Sequence, residues 1–249
     1  MSAGDKPPLE YERVAEELRT MIVMGELRPG DRLPPEGELT LRMEVSRGTL
    51  REALRVLSTQ KLLSSVRGVG GGTFIAEPST DDVVAYLQTS LSVMSPRLTV
   101  GQLLEARTLI EVPAAGIAAK TRSEDDLARL AETVVVVNDA AEGKEIDWSV
   151  NSRFHVLLLQ ATGNPLLDLV ARPIFSVMRE KFLRDRAEPQ FWRRVADEHA
   201  EILAHVRDGN AAAARKAMRV HLGALRGTYT KIDISTVGDP SRNETTPFD

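Results

Sequence analysis

Apolar residues recur at helical spacing from Leu9 to Met24, with Val14, Leu18 and Ile22 on one face. Gly25 closes that predicted helix, and Pro29-Gly30-Asp31 marks a turn. Pro34-Pro35 places proline where a second, short helix begins, over Glu36 to Met43. Ser46 is positioned to cap a third helix running to about Thr59, with Leu50, Ala53, Leu54 and Leu57 as its buried stripe. Leu62–Val66 and Thr73–Ile75 then read as short strands. Gly68, Gly70, Gly71 and Gly72 between them supply the permissive backbone of a hairpin tip.

Beyond the linker Glu77-Pro78-Ser79-Thr80 the pattern is helical throughout. Seven helices are expected, over residues 81–93, 99–120, 123–142, 147–162, 165–184, 190–208 and 211–230. Ser123, Asp147 and Asn210 suit helix starts, while Gly163-Asn164-Pro165 and Asp208-Gly209-Asn210 are breaks. Val134 to Val137 is four β-branched residues in a row, but Leu127, Leu130 and Val134 continue a helical stripe, so helix is expected there too. The expected organisation is a head over 9–78, an all-α antiparallel bundle over 79–234, and a disordered polar tail over 235–249. Fraying is expected before about Pro8.

Three helices followed by a glycine-rich hairpin is the order of a winged helix-turn-helix, which implies double-stranded DNA as partner. The formal net charge of −4 argues the other way, but DNA reads a local surface. From Arg42 to Arg67 there are six basic residues against Glu44 and Glu52, a local excess of four. Hydrophobic residues make up 42% of the 249, enough for a core in each of two domains, and the low aromatic share of 4% suits a mostly helical chain. With no cysteine, disulfides, thiolate metal sites and cysteine nucleophiles are excluded. No apolar run approaches the ~18 residues of a membrane span, and the first residues lack the apolar stretch of a signal peptide. A cytoplasmic protein with no membrane partner is expected.

On the third helix, Ser46, Arg47, Thr49 and Arg51 occupy the first turn and a half. Arginine suits guanine, whose O6 and N7 match its fork, and serine and threonine suit phosphates. A merely solvated basic helix would leave the wing and the Pro-Gly turn without a reason. Residues 11–76 resemble the DNA-binding domain of the GntR family of bacterial transcriptional regulators. The resemblance rests on Leu27-x-Pro-Gly-Asp-x-Leu-Pro-x-Glu, Val45-Ser46-Arg47-x-Thr49-Leu50-Arg51-Glu52-Ala53-Leu54, Leu57 and Gly72-Thr73-Phe74-Ile75. It implies that Ser46, Arg47, Thr49 and Arg51 contact DNA and that the wing near Arg67-Gly68 enters the minor groove. The sequence departs from the family's pattern at Gly37, where arginine is common and helps to hold DNA.

Four histidines lie in the predicted bundle: His155, His199, His205 and His221. Asn151 and His155 are one helical turn apart on one face, and His199 and His221 fall on two further helices. Three helices could so bring three imidazoles to one point with Asn151 as a fourth ligand, a set suited to zinc or nickel. His205 lies about 120° round the helix from His199 and is expected outside the cluster. Residues 81–232 also resemble the FCD effector domain of the FadR-like branch. The marks are Glu105-x-Arg107-x-x-x-Glu111, Ala118-Ala119, Phe154-His155, Gly163-Asn164, Glu198-His199 and Met218-x-x-His221-Leu222. Many such domains bind a divalent metal through an aspartate and three histidines, at positions matching Asn151, His155, His199 and His221. Asparagine in place of aspartate removes the anionic ligand. Arg107 reads either as an ion-pair partner of Glu111 or, by the resemblance, as a clamp for a carboxylate effector.

The function expected is a ligand-responsive repressor that binds an inverted-repeat operator as a homodimer, controlled by a small organic acid. A metal-responsive regulator is the alternative. A three-histidine hydrolase is a further one, but it lacks a general base: Asp147 precedes Asn151 by a turn, and Glu198 points about 100° from His199. No enzymatic activity is expected.

Overall fold

The structure is a computed structural model that describes residues 9–141, 149–183 and 186–234. Two compact units divide at Val83/Val84. The expected tail 235–249, the residues before Pro8 and Asp147 lie outside the described residues.

In the first unit, α1 (Glu10–Val23), α2 (Glu36–Arg42) and α3 (Arg47–Thr59) precede a hairpin of β1 (Leu63–Val66) and β2 (Gly72–Ile75). Val14, Leu18, Leu39, Leu50, Leu57, Leu63 and Ile75 meet in one core. The apolar stripe of α1 packs on that of α3, which fixes the opposite side of α3 outward. Ser46 caps α3 by accepting from the Thr49 N–H at 3.1 Å. Glu44, at φ 54°, makes the tight turn between α2 and α3.

The Pro-Gly-Asp turn has a use the sequence did not disclose. Gly30 takes φ 91°, and the chain after it runs along β2. The Leu33 N–H donates to Thr73 O and the Ile75 N–H to Asp31 O, both at 2.8 Å. The wing is thereby tied to the helical body on a second edge. At its tip Gly68 and Gly70 have φ 102° and 84°. A Cβ on Gly71 would lie 2.3 Å from Val66 O, so only glycine fits that position.

The helices that follow are α4 (Thr80–Met94), α5 (Val100–Thr121), α6 (Glu124–Ala141), α7 (Ser149–Gln160), α8 (Pro165–Lys181), α9 (Pro189–Arg207) and α10 (Ala211–Ile232). The division between the two units falls inside α4. The backbone of Val134–Val137 is helical, as the stripe predicts. Small residues along α5 (Ala115, Ala118 and Ala119) are fully buried and let α10 lie close along it. Gly116 is covered by the Arg215 side chain of α10, which a Cβ would displace. A short 3-10 turn, Ser95–Arg97, fills the expected break before α5.

The fifth helix of this series, α8, stops at Lys181, three residues short of the expected 184. Phe182 is extended and bridges to Asp233, while Lys181 Nζ pairs with Asp233 Oδ1 at 3.2 Å, both side chains buried. A buried ion pair left half-made is costly, so this tie to the end of α10 overrides the local helical pattern. No helix of the described residues is long and apolar enough to cross a membrane.

Candidate DNA interface and buried histidine cluster

Arg47 and Arg51 project from the first turns of α3 into solvent, while Leu50, Ala53 and Leu57 hold the other side in the core. Ser46 Oγ and Thr49 Oγ1 sit 2.9 Å apart at the helix start. Arg51 Nε donates to Glu36 Oε2 at 2.9 Å, so a carboxylate on α2 orients the guanidinium across the turn. Arg67 and Gly68 are exposed at the wing tip. Each DNA-contact candidate is therefore on an accessible helix start or hairpin tip. Gly37 is exposed in the first turn of α2 with open space where a side chain would be. Gly37→Arg is expected to tighten DNA binding and steepen its salt dependence by about one phosphate contact, read by anisotropy titrations at several salt concentrations. It also removes a helical glycine, worth up to ~1 kcal/mol of stability.

In the helical unit, α7, α9 and α10 converge on His155, His199 and His221. One ligand atom from each ring lies within 4.8 Å of the others. His199 Nε2 and His221 Nε2 face each other at 3.3 Å. All three side chains are buried, and Phe154 stacks on His199 with ring centroids 4.1 Å apart. Asn151, one turn before His155, is buried as well. Its Oδ1 has no hydrogen-bond partner, and neither has His155 Nε2. Buried polar atoms without partners are rare in folded proteins, and a ligand bound between these side chains would satisfy them. His205 is outside the cluster, 3.7 Å from Glu201.

Carboxylates back two of the imidazoles. Glu198 Oε2 lies 2.7 Å from His221 Nδ1. Glu111 Oε2 lies 2.6 Å from His155 Nδ1, in contact with the ring though off the line of a good hydrogen bond. Such carboxylate–histidine pairs fix the ring and leave its other nitrogen toward a metal. Sequence reasoning missed both roles. Glu198 does point away from His199, as expected, but toward His221 on the neighbouring helix.

Arg107 is not a surface residue. It is buried beside Glu111 in a two-pronged pair, Nε to Oε1 at 2.5 Å and Nη2 to Oε2 at 3.1 Å. Its guanidinium lies 5.2 Å from the centre of the Phe175 ring. The ion-pair reading therefore describes its geometry, and its fork is already engaged. Burial would raise the Glu111 carboxyl, but Arg107 and then His155 overcome this and bring it to about 2. Burial lowers His155 to about 3 despite Glu111, lowers His199 well below its ordinary range, and lowers His221. All three imidazoles are thus held neutral, the form that ligates metal.

This neutrality makes the metal-free fold acid-sensitive. The unfolded chain protonates each imidazole near the ordinary 6.5, whereas the folded chain resists to lower pH. The unfolded state then binds more protons below about 6.5, so stability falls as pH falls. Each such histidine contributes up to about 1.4 kcal/mol per pH unit. Glu111 adds to the loss between about 4.5 and 2. Urea melts of chelated protein should show a loss of a few kcal/mol from pH 7.5 to 5.5. A flat profile would mean that the rings are not buried neutral.

The family model for bacterial regulatory proteins of the gntR family matches residues 10–75, and that for the FCD domain matches residues 102–224. The chain is 31% identical over 210 residues to the HTH-type transcriptional regulator LutR of Bacillus subtilis (strain 168), covering 81% of this chain and 93% of that protein. It is 30% identical over 230 residues to a regulatory protein named for the L-lactate dehydrogenase operon of Escherichia coli (strain K12), covering 89% and 87%. Among solved structures it is similar to Streptococcus agalactiae GntR, with TM-score 0.57, 27% identity and coverage of 88% and 99%. These families and relatives are transcriptional regulators, which sets the hydrolase reading aside. The chain belongs to the GntR family of bacterial transcriptional regulators, as a FadR-like member with a DNA-binding winged head and an FCD domain.

Proposed function

We propose that this chain is a cytoplasmic, ligand-responsive repressor that binds an inverted-repeat operator as a homodimer, with a divalent metal in its helical domain. Ser46, Arg47, Thr49 and Arg51 read the major groove, and Arg67 and Gly68 follow the backbone into the minor groove. Asn151, His155, His199 and His221 hold the ion. The observation that carries the metal reading is the set of three buried, neutral imidazoles with ligand atoms within 4.8 Å of one another, beside Asn151 Oδ1 and His155 Nε2, which have no hydrogen-bond partner. Three nitrogens and one neutral oxygen suit zinc or nickel and leave the ion's charge unbalanced. When bound, the ion offers that charge to a small carboxylate. Arg107 acts behind Glu111 and His155 as a positioning residue, because its fork is taken.

The relative named for the L-lactate dehydrogenase operon supports a small organic acid as effector. Effector binding changes operator affinity, which is a coupling between distinct sites. Anisotropy titrations of the gene's own upstream DNA, with and without candidate acids, test this together with light scattering of the full chain. Expected are salt-sensitive specific binding, weakening by at least one carboxylate, and twice the 27.4 kDa chain mass. A monomer that is insensitive to every acid would contradict the proposal.

A further inference from the structure

A cleft of about 350 Å³ lies between α4, α7 and α8. Gln88, Ser152, Arg153, Val156, Arg172, Phe175, Ser176 and Arg179 line it. Arg153, Arg172 and Arg179 therefore line one concavity, and no carboxylate is among its lining residues. Among the described residues, Asp168 and Glu180 touch these side chains, and both are engaged. Asp168 accepts from Arg172 at 2.8 and 2.6 Å, and Glu180 accepts from Ser92 at 2.7 Å and lies 3.5 Å from Ser176 Oγ. Arg179 Nη2 donates to Ser176 Oγ at 3.3 Å, which turns its fork along the cleft wall. Like charges gathered this way repel one another, and an occupant with two negative charges relieves the repulsion. Val156 and Phe175 supply an apolar wall for a short carbon body, and the volume is that of a small-molecule site.

We propose that this cleft binds a small organic dianion, a dicarboxylate or a phosphorylated acid, with Arg153 and Arg179 holding its charges, Ser152 and Ser176 its remaining oxygens, and Arg172, held by Asp168, forming part of the wall. The site is separate from the buried histidines but shares a wall with them. The Phe175 ring lies 5.8 Å from the His155 ring and 5.2 Å from the Arg107 guanidinium carbon. An occupant pressing on Phe175 acts on the side chains behind the metal ligands, so the dianion site is placed to adjust the metal-bound state.

The test is isothermal titration of the full chain with inorganic phosphate and, in a second arm, succinate; the two arms separate a phosphoryl from a dicarboxylate head. Binding of at least one probe is expected. Arg153→Ala/Arg179→Ala should weaken it at least about tenfold, the scale of lost charge-assisted bonds. Gln88→Glu, which adds a negative charge at the half-buried rim, should weaken it too, even if the double variant unfolds. His199→Ala should abolish metal uptake yet leave phosphate or succinate binding in place, which separates this site from the metal reading. No heat with either probe up to ~10 mM, a concentration that reveals even weak sites, would overturn the proposal. So would equal binding by the double variant or by Gln88→Glu.

Discussion

Replacing Arg47 and Arg51 together with alanine is expected to lower operator affinity by several kcal/mol. A guanidinium that reads a guanine edge is worth about 1–3 kcal/mol against its loss, and each of these sits on an accessible turn of α3. The helix itself should survive, because its cap is Ser46 and its core face is Leu50, Ala53 and Leu57. The two changes should not be equivalent. Arg51 is already paired with Glu36, so its truncation also frees a carboxylate beside the DNA. That repulsion adds to the lost contact, and Glu36→Gln in the Arg51→Ala background should recover part of the affinity. Anisotropy at fixed salt gives the affinities and circular dichroism checks the fold. Retained affinity in a folded double variant would remove α3 from the interface.

The second large effect concerns the histidines. His199→Ala or His221→Ala should abolish metal uptake, since each removes one of three nitrogen ligands. At a metal concentration a thousandfold above Kd, bound metal adds about 4 kcal/mol to stability. Wild type should therefore melt higher with added zinc, and both variants should melt at the same temperature with and without it. His205→Ala should behave as wild type, because His205 faces Glu201 outside the cluster. Asn151→Asp restores an anionic oxygen and should tighten metal binding at least about tenfold, the scale on which single ligand or supporting groups act. Weaker binding by that variant would remove Asn151 from the ligand set.

The helices and the wing were legible because their patterns are local. The Val14, Leu18, Ile22 stripe, the Ser46 cap and the glycines of the hairpin each need only a few neighbouring residues. His155, His199 and His221 were also legible as a set, but only because the resemblance supplied their convergence; spacing alone placed them on three helices without saying which faces meet. What stayed hidden depends on contacts distant in sequence. The pairing of Asp31–Leu33 with β2 joins residues some forty positions apart. Glu198 supports His221 on another helix, and the early end of α8 follows from Lys181 and Asp233. Arg107 and Glu111 read as a pair from their one-turn spacing, yet nothing local told that the pair is buried behind His155.

Elemental analysis of the full chain, purified without chelator and without a metal-affinity column, tests the central claim most directly. The expected result is close to one divalent ion per chain, zinc or nickel, lost in His199→Ala. A metal-free protein that takes up neither ion from solution, while still releasing its operator on adding an organic acid, would contradict it and leave the three imidazoles as hydrogen-bonding residues of a pocket.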